Sequence, residues 1–95
     1  MIISQKKICY TLDMKIKIRY FASFRELIGQ GEELLTVADA TRVVDIRALL
    51  VERNPRLQPI MERSVNALNH RYVPAETVLH ENDELVFIPP TGGGQ

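Results

Sequence analysis

The first clear pattern in the chain is an alternation of polar and apolar residues over positions 15–20. Successive side chains of a strand point to opposite faces, so this alternation predicts a β-strand with one buried face. The residues predicted to be buried are Ile16, Ile18 and Tyr20. Met14 directly precedes the alternation, and nothing in residues 1–13 leads into it. We therefore expect residues 1–13 to be an N-terminal extension that is disordered or lies upstream of the natural start at Met14.

A short helix and a second strand are predicted next. Ser23 and Glu26 match a capping box, and apolar residues follow at helical spacing until Gly29 ends the helix. Residues 33–37 follow a Gly-Gln-Gly turn and are rich in leucine, threonine and valine, which favours a strand that returns beside the first one.

The main helix is predicted over residues 43–53. Apolar residues keep helical spacing there while charged residues take the other side. Thr41 is a candidate N-cap, and the helix should stop at Asn54 because Pro55 follows it. A loop is expected around Pro59.

The remaining sequence predicts three further strands. The third covers residues 64–68, Asn69-His70 is a turn, and residues 71–73 form a short edge strand bounded by Pro74. Residues 85–88 are apolar at every position, which predicts a strand in the middle of the sheet that is covered on both faces. The resulting fold class is α+β, with a mixed sheet of about five strands, one main helix and one or two short helices.

Composition restricts the function. Ninety-five residues suit one domain with a single core but no deep enclosed active site. Twelve basic residues balance twelve acidic ones, so no overall field attracts nucleic acid or an anionic membrane, and a protein partner is expected. Cys9 is the only cysteine, which excludes an internal disulfide and fits a reducing cytoplasm. No segment has the length of a signal peptide or a membrane span.

Two histidines and five arginines raise the questions of a metal site and of a charged docking face. His70 and His80 lack a carboxylate or cysteine at ligand spacing, so turn or surface positions are favoured over a metal site and none is predicted. Five arginines could form a docking face for an acidic partner, although interspersed glutamates favour an ordinary solvated face. They are Arg42, Arg47, Arg53, Arg56 and Arg63.

The C-terminal tail, residues 89–95, carries the chemical prediction. Pro89 and Pro90 lack amide donors and fix φ, so the chain must leave the sheet after them. Bare glycine backbone can thread a channel in a partner where any Cβ would collide, although a flexible, disordered tail accounts for the same glycines equally well. The reactive group would then be a terminal carboxylate, which an adenylating enzyme can activate for displacement by sulfur.

Three stretches together resemble a known family. "IRYFASFRELIG" at 18–29, "VNALNHRYV" at 65–73 and "ENDELVFIPPTGGG" at 81–94 are similar to the small subunits of molybdopterin synthase, which are β-grasp, ubiquitin-like sulfur carriers of molybdenum cofactor biosynthesis. The resemblance runs from Met14 to Gly94 and implies a β-grasp domain over residues 14–88. A subunit of this kind has no catalytic side chain of its own and acts as the sulfur-donating half of a heteromeric synthase.

The resemblance also implies the site and its partners. Gly93 and Gly94 correspond to the family's terminal pair, and the Gly94 carboxylate would become a thiocarboxylate through a transient acyl-adenylate made with ATP. No cofactor would stay bound. The implied partners are a ubiquitin-activating-like adenylyltransferase, a sulfur donor protein and the large synthase subunit, in which the sulfur converts cyclic pyranopterin monophosphate into molybdopterin. The implied partner-binding residues are Phe21, Phe87, Pro89, Pro90, Thr91 and Gly92, although phenylalanines are otherwise more often core residues.

Gln95 departs from the family pattern because it follows the glycine pair. It would have to be removed before Gly94 has a free carboxylate. Two alternatives stay open: a sulfur carrier for the thiazole of thiamine, and a ubiquitin-like binding module whose blocked tail never reacts.

Overall fold

The computed structural model describes residues 13–90, so the predictions for residues 1–12 and for Thr91 to Gln95 lie outside the described residues. Five strands form one sheet: β1 (Asp13–Tyr20), β2 (Glu32–Ala38), β3 (Val65–Leu68), β4 (Arg71–Val73) and β5 (Glu84–Ile88). The helices are α1 (Ala22–Ile28), α2 (Val43–Arg53) and α3 (Gln58–Glu62), and a 3-10 turn spans Pro55–Leu57. No helix among the described residues is long and apolar enough to cross a bilayer.

The strand order in the sheet is β2-β1-β5-β3-β4. β1 pairs antiparallel with β2 and parallel with β5, while β3 pairs antiparallel with both β5 and β4. This mixed sheet, covered on one face by helices, confirms the predicted β-grasp fold. β5 lies in the middle and β4 at an edge, as predicted from their sequences.

One face of the sheet and the helices enclose the core. The alternation in β1 has the predicted parity, since Ile16, Ile18 and Tyr20 are all buried. The main helix contributes its own buried stripe, which consists of Val43, Ile46 and Leu50. Burying these apolar side chains, each contributing on the order of 1.5–3 kcal/mol, is the main source of stability.

A polar chain closes the core at the end of β1. The buried Tyr20 hydroxyl donates to Glu33 Oε1 at 2.7 Å, and Glu33 in turn pairs with the Arg53 guanidinium at 3.2 Å. Burial, together with the hydrogen bond to the Glu33 carboxylate, raises the pKa of the Tyr20 hydroxyl well above its usual range. These contacts join β1, β2 and α2.

Two predicted helix caps are wrong. Helix α1 begins at Ala22 after Phe21, with no side-chain cap bond, so Ser23 and Glu26 form no capping box. The chain enters this helix through Ala22, whose φ of +48° is unusual for a residue with a Cβ and fixes the direction of the turn. The predicted end is confirmed, because Gly29 has a φ of 91° and its N–H donates to the Arg25 carbonyl.

Thr41 does not cap helix α2 either. Its hydroxyl donates backwards to the Ala38 carbonyl at 2.6 Å and stabilises the turn after β2. The helix begins after Arg42, whose backbone N–H donates to the Asp45 carboxylate at 2.8 Å.

The loop expected around Pro59 is a helix. Pro59 lies in the first turn of α3, where its missing N–H would have no intrahelical acceptor. The predicted Asn69-His70 turn is confirmed, because both residues have positive φ and join β3 to β4 as a two-residue hairpin loop.

Candidate functional site

The chain leaves the fold from its central strand. β5 is hydrogen-bonded to β1 on one side and to β3 on the other, and it ends at Ile88, directly before Pro89 and Pro90. The root of the tail is therefore held by two neighbouring strands rather than by a surface loop. A reactive group carried beyond Pro90 starts from a fixed point on a rigid sheet.

Phe87 is in the core and has no exposed surface, so its predicted role in partner binding is wrong. Phe87 is paired with Tyr20 of β1 in register, and both side chains point to the helix-covered face. Its ring centroid lies 6.2 Å from that of Tyr20 and 5.5 Å from that of Phe24, typical of aromatic packing in a core. A partner cannot contact this ring while the domain is folded.

The opposite face of the sheet carries an apolar surface beside the tail, which we call the outer patch. Strand parity and register place its members together, since Ile88 pairs with Val65 and Val86 pairs with Ala67, which in turn pairs with Tyr72. Val65 is 50% exposed and Tyr72 is 77% exposed. The outer patch consists of Val65, Ala67, Tyr72, Val86 and Ile88. The expectation that β5 is covered on both faces is therefore wrong, because no helix covers Val86 and Ile88 and both are only half-buried.

Phe21 extends the outer patch toward β1. It follows Tyr20, the partner of Phe87, and its extended backbone continues the strand alternation, so its side chain lies on the outer side level with Ile88. Phe21 is 45% exposed. The Arg19 guanidinium carbon lies 5.8 Å from its ring centroid, within cation–π range. The structure thus brings Phe21 to the tail root, where a role in partner binding stays a prediction.

Pro89 and Pro90 line a groove that includes Val65, Tyr72 and Ile88 of the outer patch. Gly93 and Gly94, the predicted reactive pair, lie outside the described residues, as do Thr91 and Gly92. His70 occupies the hairpin loop and His80 precedes the turn before β5. Among residues 13–90, no group of three or more His, Cys, Asp or Glu side chains is placed to hold a metal ion.

A partly buried polar network behind the tail root was not predicted from the sequence. Arg47 of α2 donates to the Asn66 side-chain oxygen at 2.7 Å and to the Met61 carbonyl, and Asn66 donates to the Val86 carbonyl of β5 at 3.0 Å. Burial lowers the pKa of the Arg47 guanidinium. Arg47 therefore does not belong to the solvated or docking face considered for the five arginines. Helical spacing alone does not distinguish it from the exposed charged residues of α2. A polar residue such as Asn66 in an apolar strand was the available signal.

Replacing Arg47 should destabilise the fold. In Arg47→Met the buried Asn66 oxygen loses its donor, and we expect the free energy of unfolding to fall by about 1–3 kcal/mol. Urea denaturation measures this change. Arg56→Met, at an exposed position of the 3-10 turn, is the matched control and should stay within about 0.5 kcal/mol of the parent. Equal stability of the two variants would show that the network contributes nothing.

Comparison with known proteins agrees with this geometry. Residues 18–94 match the model of the ThiS family. The molybdopterin synthase sulfur carrier subunit of Chlamydomonas reinhardtii is 36% identical over 83 residues, covering 85% of this chain and 100% of that protein. The solved structure of molybdopterin converting factor subunit 1 from Pyrococcus furiosus superposes with a TM-score of 0.71 at 30% identity, over 82% of this chain and 99% of that chain.

A further solved structure shows the same fold within an assembly. It is the complex of subunits 1 and 2 of the molybdopterin-converting factor from Helicobacter pylori, in which one chain superposes with a TM-score of 0.62 at 24% identity. The superposition covers 85% of this chain and 100% of that one. The family match covers most of the sequence and includes the glycine pair. The chain therefore belongs to the ThiS family, together with relatives named molybdopterin synthase sulfur carrier subunit.

Proposed function

We propose that this protein is the sulfur carrier subunit of a molybdopterin synthase. The observation that carries the proposal is the position of the tail root: Pro89 and Pro90 follow the central strand directly beside an exposed apolar patch, in a chain whose family match continues to Gly94. The domain supplies a docking surface and a fixed origin, and the tail supplies reach. Six extended residues from Pro89 to Gly94 span roughly 20 Å.

The chemistry takes place at the Gly94 carboxylate. Hydrolysis of the Gly94–Gln95 peptide bond first frees this carboxylate. An activating enzyme of the ubiquitin-activating type then joins one carboxylate oxygen to the α-phosphorus of ATP, and pyrophosphate leaves. A hydrosulfide-class donor attacks the acyl carbon of the adenylate, the C–O bond to AMP breaks, and a thiocarboxylate remains. The sulfur is the cargo, and this subunit contributes no acid or base.

The large synthase subunit is the proposed acceptor. The outer patch presents apolar side chains of the type that form the centre of protein interfaces, and Tyr72 offers a large, exposed aromatic ring. Docking on this face would direct the tail into the partner, where glycine backbone passes a channel too narrow for side chains. The Helicobacter pylori assembly of subunits 1 and 2 supports a pairing of this kind.

Intact mass of the protein from its native cell tests the proposal. We expect a chain that ends at Gly94, with a fraction heavier by one exchange of sulfur for oxygen. A population that always keeps Gln95 and never gains sulfur would instead indicate a binding module with a blocked tail. Affinity capture identifies the pathway, because recovery of a thiazole synthase without a pterin-binding subunit would contradict the molybdopterin assignment.

A further inference from the structure

A groove at the root of the tail contains a single charged side chain. The groove has a volume of about 690 Å³, and the residues that matter for its recognition chemistry are Arg63, Val65, Tyr72, Ile88, Pro89 and Pro90. Its other lining residues, Asn66, Val73 and Pro74, add no charge. Asn66 already has partners for both ends of its side-chain amide. The groove therefore offers a partner two features to bind, an apolar wall and one guanidinium.

The backbone at Arg63 is held by hydrogen bonds, while its side chain is exposed. The Arg63 N–H donates to the Ile60 carbonyl at 3.2 Å, and the buried Ser64 hydroxyl donates to the Met61 carbonyl at 2.8 Å. These bonds hold the junction between α3 and β3. Among residues 13–90, no carboxylate forms an ion pair with Arg63, which is exposed. Within the described part of the chain, the guanidinium is thus presented from a rigid position without a counter-ion.

The occupant of the groove must come from the protein that takes up the tail. Pro89 and Pro90 form part of the wall and also lead into the tail, so a partner that encloses the tail down to its root would cover the groove. The tail itself does not suit the groove, because the glycines after Thr91 carry no apolar side chain. Covering an exposed guanidinium with an apolar surface removes its hydration, which is costly unless a carboxylate pairs with it. An arginine is well suited to this pairing, since its planar fork binds a carboxylate through two parallel hydrogen bonds.

We propose that Arg63 and its groove receive an apolar side chain and a neighbouring carboxylate at the channel mouth of the large synthase subunit. Arg63 would then be a specificity-determining contact, because a partner that covers the groove without an acidic group leaves the cation unpaired. This inference rests on the proposed function. It adds to that function an acidic recognition element beside the apolar docking surface.

Calorimetric titration of the full chain with the purified large subunit tests the inference. We expect Arg63→Glu to weaken the complex at least about tenfold and Arg63→Lys, which keeps the charge but loses the fork, to fall between this variant and the parent. Raising the salt concentration should reduce the difference between parent and Arg63→Glu. The matched control is Arg56→Glu, an exposed arginine that does not line the groove, which should bind within about twofold of the parent. Thermal unfolding verifies that each variant is folded.

The outcomes separate this inference from the proposed function. If Arg63→Glu binds like the parent while Ile88→Asp on the outer patch does not bind, the groove inference is wrong and the docking face stands. If Arg63→Glu and Arg56→Glu weaken binding equally, the effect reflects overall charge and the inference is again wrong. If both Arg63→Glu and Ile88→Asp bind normally, this face is not the docking surface, and the groove inference is wrong although the pairing with the large subunit stands. If the parent chain itself does not bind the large subunit, the proposed function fails.

Discussion

A chain that ends at Gly94 should accept sulfur, whereas the same chain with Gln95 should not. In the longer chain the Gly94 carboxyl is part of a peptide bond, and the free carboxylate belongs to Gln95, whose side chain does not fit a channel that admits only bare glycine backbone. We expect complete loss of thiocarboxylate formation, not a partial reduction. The measurement is the intact mass of each purified chain after incubation with the activating enzyme, ATP and a sulfide source.

A chain that ends at Gly93 is the control for length. It has a free carboxylate and can be adenylated, but its reactive group lies one residue, about 3.5 Å, short of the position that the tail reaches at Gly94. We expect it to support little molybdopterin formation with the large subunit. Thiocarboxylate at the end of a chain that still carries Gln95 would contradict the proposed chemistry.

Neighbouring residues of β5 should have opposite roles. Phe87→Ala leaves a large cavity between Tyr20 and Phe24, so we expect the free energy of unfolding to fall by about 3–5 kcal/mol. This is a large share of the roughly 5–15 kcal/mol typical of a domain.

Ile88→Asp places its carboxylate on the outer patch, where water can solvate it in the free protein but not beneath a docked partner. We expect this variant to stay folded and to lose binding to the large subunit by at least about a hundredfold. Urea denaturation and calorimetric titration measure the two effects.

Leu34→Asp is the matched control for Ile88→Asp. Leu34 is 71% exposed on the same outer side of the sheet, but it belongs to β2 at the opposite edge from β4. We expect nearly unchanged binding. Equal loss of binding in both variants would place the interface across the whole outer face, and a stable Phe87→Ala would contradict the described core.

The sequence predicted the sheet well where its pattern was unambiguous. The alternation in β1 fixes which residues are buried, and the prolines after Ile88 fix the exit of the tail. The run from Leu85 to Ile88 is different. Because the strand is apolar at every position, its sequence does not show which side chains face the core and which face outward. The orientation of Phe87 depends on its register with Tyr20, a contact between residues far apart in sequence. The resemblance to a family therefore assigned partner binding to a core side chain.

Local polar contacts were predicted less well for a related reason. Ser23 and Thr41 have the right residue type for N-caps, yet Phe21 and Arg42 occupy the N-cap positions. Pro59 indicates a loop by composition, but proline is compatible with the first turn of a helix. Arg47 is drawn out of the solvent by its hydrogen bond to Asn66, a partner that helical spacing cannot reveal. Tertiary contacts decided each of these positions.

The parallel pairing of β1 with β5 also determines how the domain responds to pulling. The two strands run side by side in the same direction, with register from Lys17 opposite Glu84 to Tyr20 opposite Phe87. Force that draws Asp13 and Ile88 apart loads their hydrogen bonds in shear, so the bonds must break together rather than one at a time. The geometry makes the fold a mechanical clamp, and a protease or unfolding motor that seizes the tail meets its strongest resistance at the first strand it pulls.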